Sequence, residues 1–388
     1  MTTTRSVIFG RRIQISGSAS FKTDARLTQY AHDLVSHLVR AILSDGGGLV
    51  LGAGKEPRPT PGAPSILFDW TALEIAAMSF TNHRSTWPKS YGPPLLVVTS
   101  DKSESEIPET RRPLWDSLLK SGLMRVESIL AGARSGAMLR ERQAQHGDVL
   151  VTLGGGTGVE HLADLYLSRR RAVISLDLPL GASRDDGTGG SERLAQKARE
   201  HPERFIKFRK EFAGTENARL SSISTRAGAT DVEAVTKNLH ELLRLLARPY
   251  VFYTRLMNPK HSKFNVVEEF FRMVVDPVIA EFGLEPLDMG VSESEHAFLN
   301  VAIFDNLHYA TAVVADVTGV RPNCYIELGY GLGHATRVIA AAEIGTKLPF
   351  DQDAIPCHFW NASLSIDERR QSFREFWRKN IDRPAVIV

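Results

Sequence analysis

Near the end of the chain, the run "DVTGVRPNCYIELGYGLG" (316–333) sets a carboxylate among apolar residues and glycines. Pro322 suits the first turn of a helix, with Asn323 at or next to its start. At about 100° per residue, Tyr325, Leu328 and Leu332 share one face, while Asn323, Glu327, Gly331 and His334 share the opposite one. An amide and a carboxylate one turn apart thus look the same way. Gly329, Gly331 and Gly333 each cost roughly 1 kcal/mol against alanine in a helix interior. Their missing side chains let another backbone or a ligand come close. Asp316, ending the preceding apolar strand, is expected at the same edge. The chemistry on offer is that of a carboxylate aimed at a bound ligand. The plainer alternative is a capping Asn323, a solvated Glu327 and glycines packed on a sheet.

A second set of residues suits phosphate. The backbone N–H groups of "GGGTG" (Gly154, Gly155, Gly156, Thr157, Gly158), opening a helix, would form an anion nest. Gly17, Ser18 and Ala19 make another such turn, and Gly52 to Lys55, with Gly54 between, a third. Glycines kept only for tight turns are the alternative. Asp69, Trp70 and Glu74 are candidate pocket residues whose plainer reading is core and cap.

The elements that must position these residues alternate short apolar runs with amphipathic helices. That pattern predicts α/β architecture: two doubly wound, mostly parallel-sheet domains, at 1–248 and 249–388. Strand candidates in the first are "RIQIS" within 11–16, "LVL" (49–51), "LLVVTS" (95–100), "DVLVTL" (148–153) and "AVISLDL" (172–178). Nearly all end in small-residue loops, and doubly wound sheets bind ligands at that edge. The stretch 181–226 is rich in charge, Gly and Ser, and reads as loop where it carries "GASRDDGTGGSE". Asp231 is a plausible N-cap for a helix over 231–247. In the second block, "YVFYTRL" (250–256), "LEPLDM", "TAVVADV" (311–317) and "RVIAAAE" read as strands. A helix carries Phe264, Val267, Phe271, Val274, Val278 and Phe282 inward, with Pro277 as a kink site; a further one carries Phe298, Val301, Phe304 and Leu307. Ser365 caps the last helix.

Composition narrows the classes. The 388 residues are 43% hydrophobic with a formal net charge of +2, which argues against a bulk nucleic-acid or membrane-surface binder. No apolar run approaches the roughly 18–20 residues of a membrane span. Two cysteines, Cys324 and Cys357, make neither a disulfide framework nor a metal-ligand spacing, so no metal site and a reducing cytoplasm are expected.

The C-terminal block, from "VFYTRLMNP" through "AFLNVAIFDNLHYATAVVADVTGVRPNCYIELGYGLG" to "LPFD" (348–351), resembles the nucleoside 2-deoxyribosyltransferase-like and TIR-like superfamily. The resemblance implies a flavodoxin-like fold and cleavage of an N-glycosidic bond at a ribose or deoxyribose. It places the catalytic carboxylate on Glu327. Departure of the base leaves an oxocarbenium-like sugar, which an anion beneath C1 stabilises or captures. Asn323 and Asp316 would assist by holding the sugar or base. Arg255, Tyr253, Lys260 and Gly329 would bind substrate, with His261 and Lys263 in a loop that could meet phosphates or be an ordinary solvated turn.

"RRIQISGSAS" and "DVLVTLGGGTGVEHLADLYLSRRRAVISLDLP" resemble the SLOG superfamily, which includes LOG-type hydrolases and DprA-like proteins. The LOG motif "PGGxGTxxE" is altered here. Gly154 replaces its proline, and its glutamate position falls on Leu162, with Glu160 two residues early. Arg140 and Arg142 stand where an upstream basic pair could lie. Nucleotide binding survives that departure better than LOG-type catalysis does. A SLOG domain beside a TIR-like one resembles the sensor–effector layout of bacterial anti-phage defence. The implied protein is an NADase that takes NAD as substrate, with no cofactor. A nucleotide signal at the SLOG domain, an ADP-ribose derivative or a cyclic nucleotide, would release it, and a homo-oligomer is expected. The rivals are a salvage nucleoside or nucleotide (deoxy)ribosyltransferase or hydrolase, and a non-catalytic nucleotide-binding protein.

Overall fold

The computed structural model describes residues 8–82, 87, 92–182, 190–208, 212–223, 231–246, 250–288, 301–333, 337–348 and 355–381. The chain divides into two compact units, Met1–Ala247 and Arg248–Val388. Each is α/β around a parallel sheet.

The first unit's strands are β1 (Arg12–Ser18), β2 (Gly48–Leu51), β3 (Leu95–Ser100), β4 (Met124–Ile129), β5 (Val149–Gly154) and β6 (Ala172–Leu176). Its helices are α1 (Ala25–Ser44), α2 (Asp69–Asn82), α3 (Asp101–Ser105), α4 (Arg112–Lys120), α5 (Ser135–His146), α6 (Thr157–Ser168), α7 (Gly190–Glu200), α8 (Pro202–Phe205), α9 (Glu216–Ser222) and α10 (Val232–Leu245). The order is β4-β3-β2-β1-β5-β6. The chain winds outward from β1 to β4, then returns to β5 beside β1. The crevice where winding reverses therefore lies at the carboxyl ends of β1 and β5, where ligands bind in such sheets. Alternation sorts the faces. Leu49, Leu51, Leu95 and Val97 join the main core with α1, while Val50, Leu96 and Val98 pack with Leu139 of α5. Asp24 caps α1 by accepting the Arg26 N–H, and Asp231 caps α10 by accepting that of Glu233. The charged 181–226 stretch holds α7, α8 and α9, whose Leu194, Phe205 and Leu220 are buried.

The second unit's strands are β7 (Tyr250–Thr254), β8 (Glu285–Leu287), β9 (Ala312–Asp316), β10 (Val338–Glu343) and β11 (Cys357–Trp360). Its helices are α11 (Phe264–Phe270), α12 (Asp276–Glu281), α13 (Val301–Tyr309), α14 (Pro322–Gly333) and α15 (Ile366–Asn380). The order β11-β10-β9-β7-β8 is the flavodoxin-like one, with its switch point between β7 and β9. Helices α13 and α14 pack with Phe252, Val313, Ala315 and Ala342 on one face. The other face holds an aromatic cluster in which Phe270 stacks on Trp360 at 4.5 Å, with Phe271 and Phe373 edge-on. The predicted kink at Pro277 is a π-turn, Phe271–Val275, between α11 and α12. Proline has no N–H for the Met273 carbonyl four residues back, and Arg370 Nε of α15 supplies one at 2.6 Å. Ser365 and Glu368 form a full capping box on α15. Among the described residues no helix is long and apolar enough to cross a membrane.

Candidate functional site

Helix α14 starts at Pro322, right after the turn that leaves β9, so its first two turns stand at the switch-point edge. Its most buried stripe is Cys324, Leu328 and Gly331, and Tyr325 and Leu332 of the predicted face pack against the same core half-buried. Gly331 belongs to that stripe rather than to the Glu327 face. A Cβ there would come within 3.1 Å of Val338 Cγ2, so this glycine serves the packing of α14 on β10. Glu327 sits at the border of the stripe, half-buried, and Asn323 lies exposed one turn before it. Gly329 and Gly333 face open space, and Gly329 is about 160° around the helix from Glu327. Gly329 is therefore not placed beside the carboxylate. His334 and the "FD" of "LPFD" lie outside the described residues.

Burial raises the pKa of Glu327 above the usual carboxylate range, and the Thr254 hydroxyl pulls it partly back. Thr254, ending β7, also borders Cys324, whose thiol burial pushes up to about 11. The Thr254 residue is buried beside Glu327 and Cys324, and among the described residues no group meets its Oγ1 at full hydrogen-bond geometry, so its pull on Glu327 is that of a loose contact. A buried polar atom left this way is uncommon. It stands ready for a partner beside Glu327.

Strand alternation separates the remaining candidates from that carboxylate. Tyr253 and Arg255 point to the sheet face opposite Thr254. Tyr253 donates its hydroxyl to Asp276 Oδ1 at 2.7 Å. Arg255 lies over Phe271 and pairs with Glu268 and Asp288. Both are braces of the α11–α12 side. Asp316, fully buried, also points to that face. Its Oδ2 accepts from Trp360 Nε1 at 2.8 Å and its Oδ1 from the Thr318 N–H at 3.0 Å. Burial pushes its carboxyl up to about 6, against the pull of those bonds. Asp316 thus ties β9 to β11 and does not join Glu327. Lys260 is exposed in an Asx turn closed by Asn258 Oδ1. In the same loop Lys263 Nζ pairs with Glu343 at 2.7 Å, and His261 packs on Gly319 in the turn after β9. The loops after β7 and β9 therefore meet at the edge where α14 begins.

In the first unit the predicted phosphate turns differ in what they offer. Gly154 and Gly155 have φ of +61° and +72°, which favours glycine. The Gly155 N–H is already bonded to the Ser18 and Gly181 carbonyls. Gly156 is the N-cap of α6, and the N–H groups of Thr157 and Gly158 open that helix without an acceptor among the described residues. A Cβ on Gly158 would come within 3.3 Å of Arg140 Nη1, so the Arg140 guanidinium lies beside Gly158. Arg140 Nε donates to His161 Nδ1 at 2.8 Å. This end of α6 is suited to an anion. Leu162 is buried in the core, and Glu160 pairs with Arg193 at 2.6 Å.

The Gly17–Ala19 turn is not a nest. A Cβ on Gly17 would fall 1.7 Å from the Leu153 carbonyl oxygen, so this glycine allows β1 to approach β5. The Ala19 N–H is bonded to Ile66 O. Gly54 is tight against Ser103, its carbonyl takes the Trp70 indole N–H, and Lys55 is exposed. Gly52 instead lines a cavity with Asp69 and Gln143. Trp70 is core, and Glu74 pairs with Arg111.

A family described as ATP nucleosidase Cap17-like, N-terminal, matches residues 8–243. The chain belongs to this family. Two curated relatives, ATP nucleosidase Cap17 of Escherichia coli (strain KTE188) and ATP nucleosidase Cap17 of Escherichia coli, are each 29% identical over 178 residues. That stretch is 46% of this chain and 34% of theirs, so the match spans about a third of the length of these relatives. The family match covers the α6 anion end and the Asp69 cavity. Glu327 and α14 lie beyond it. Among the described residues no group of three or more His, Cys, Asp or Glu could hold a metal ion.

Proposed function

We propose that this chain is an N-glycosidic bond hydrolase whose second unit cleaves the nicotinamide–ribose bond of NAD with Glu327. Its first unit binds a nucleotide signal at the α6 end and releases that activity. The observation that carries the reading is Glu327 itself: a half-buried carboxylate at the switch point, beside the buried Thr254 hydroxyl that acts on it. The C1′–N bond breaks with its electron pair on the base, and the cationic nicotinamide leaves neutral. The Glu327 anion stabilises or captures the sugar cation, and a water oxygen then bonds C1′ and releases a proton. Asn323, one turn away, holds a sugar hydroxyl. Asp316, Tyr253 and Arg255 act as braces of the sheet. Lys260 and its loop meet the substrate's phosphates. The chain works as a cytoplasmic homo-oligomer in anti-phage defence, where unregulated cleavage of NAD would be toxic.

The name of the relatives favours a second reading, with ATP as substrate and adenine as the released base. Purified chain incubated with NAD or ATP, alone and with AMP or ADP-ribose, separates the two by the base set free. Nicotinamide supports the first reading and adenine the second. Neither base under any condition removes both.

A further inference from the structure

The first unit holds a cavity of about 150 Å³ at the carboxyl ends of β1 and β2. Leu51 and Phe68 form apolar wall, while Asp69 of α2, Gln143 of α5 and the β1 and β2 backbones supply polar lining. The Gly52 N–H donates to Asp69 Oδ1 at 3.0 Å. Among the described residues only this N–H and Asp69's own act on the carboxylate, and burial pushes it up to about 7. The place where Gly52 would carry a Cβ is 3.5 Å from Asp69 Oδ1 and 3.8 Å from Gln143 Nε2. Both side chains thus line the cavity beside Gly52, one offering an acceptor and the other a donor. An amine would use only the acceptor, and a phosphate only the donor. A hydroxyl gives and takes, and two adjacent hydroxyls fit a carboxylate's paired oxygens.

We infer that this cavity holds the cis-diol of a ribose, read by Asp69 and Gln143, so that the first unit's ligand is a ribonucleotide with free 2′- and 3′-hydroxyls. The inference rests on the proposed nucleotide-binding role of this unit. Within that role it selects a 5′-nucleotide or ADP-ribose type of ligand over a 3′,5′-cyclic one. Strand β1 lies between β2 and β5, so the diol site is about two strand spacings, roughly 10 Å, from the α6 end. A nucleotide's sugar and phosphates bridge that span.

Calorimetric titration of the full chain with AMP, ADP-ribose, 2′-deoxy-AMP and 3′,5′-cyclic AMP tests this. AMP and ADP-ribose should bind wild type roughly tenfold or more tightly than the two analogues. Asp69→Asn keeps an oxygen for the Gly52 N–H, so it should fold, and should bring AMP down to the level of 2′-deoxy-AMP. Gln143→Ala should do so in part. Equal affinity of AMP and 2′-deoxy-AMP for wild type overturns the diol site and leaves nucleotide binding standing. Discrimination that survives both substitutions overturns it too. No binding of any of the four removes the nucleotide reading, and the diol site falls with it.

Discussion

A carboxylate that serves an anomeric carbon must be ionised when the base departs. Burial shifts Glu327 toward its neutral form, so activity should fall on acidification through a pH above the ordinary carboxylate range. A pH–rate profile checks this; a rate that holds down to pH 4 would contradict it. Thr254→Val keeps the shape of the side chain and removes the hydroxyl that acts on Glu327. We expect base release to slow roughly tenfold, about the effect of one hydrogen bond, with the melting temperature unchanged or raised. Glu327 could be singled out in the sequence because a carboxylate in an apolar, glycine-laced run calls for a reason. Thr254 was equally within reach. Counting by two from the buried Phe252 puts Thr254 on the α14 face and turns Tyr253 and Arg255 away from it.

Asp316 looked catalytic because it ends an apolar strand at the right edge. What its position could not convey was the indole of Trp360, two strands away in the sheet and 44 residues along the chain. Asp316→Ala should leave the Trp360 and Thr318 N–H groups without their acceptor and lower stability by about 1–3 kcal/mol, read by urea unfolding. Gly17→Ala drives a Cβ into a backbone oxygen that cannot swing aside, and should destabilise the first unit by roughly 1–3 kcal/mol. A melting temperature within a degree of wild type would refute that contact. Five strands of the first sheet show as apolar runs, but β4, "MRVESI", does not. It is an edge strand with only Met124 fully buried, so its composition carries little hydrophobic signal. β11, "CHFW", is another edge strand of only four residues. The helices α7 to α9 were hidden by their charge. Their burial rests on a few residues each, such as Leu194 and Phe205.

The proposed sensor role of the first unit predicts that its ligand site controls the second. Gly156→Asp sets a carboxylate at the end of α6 where an anion is expected, and should abolish both AMP binding and AMP-stimulated base release. It should leave the basal rate at Glu327 as it was. The alternation of strand and helix foretold two parallel sheets, because buried parallel strands are the most strongly apolar runs a soluble chain carries. Substrate identity lies in the few side chains that meet the ligand, so it stays a question for assay. The most direct measurement is the nicotinamide set free from NAD by wild type and Glu327→Gln, with AMP or ADP-ribose present. The account predicts release by wild type and a loss of at least about a hundredfold in the variant. Equal release by the two proteins would contradict it.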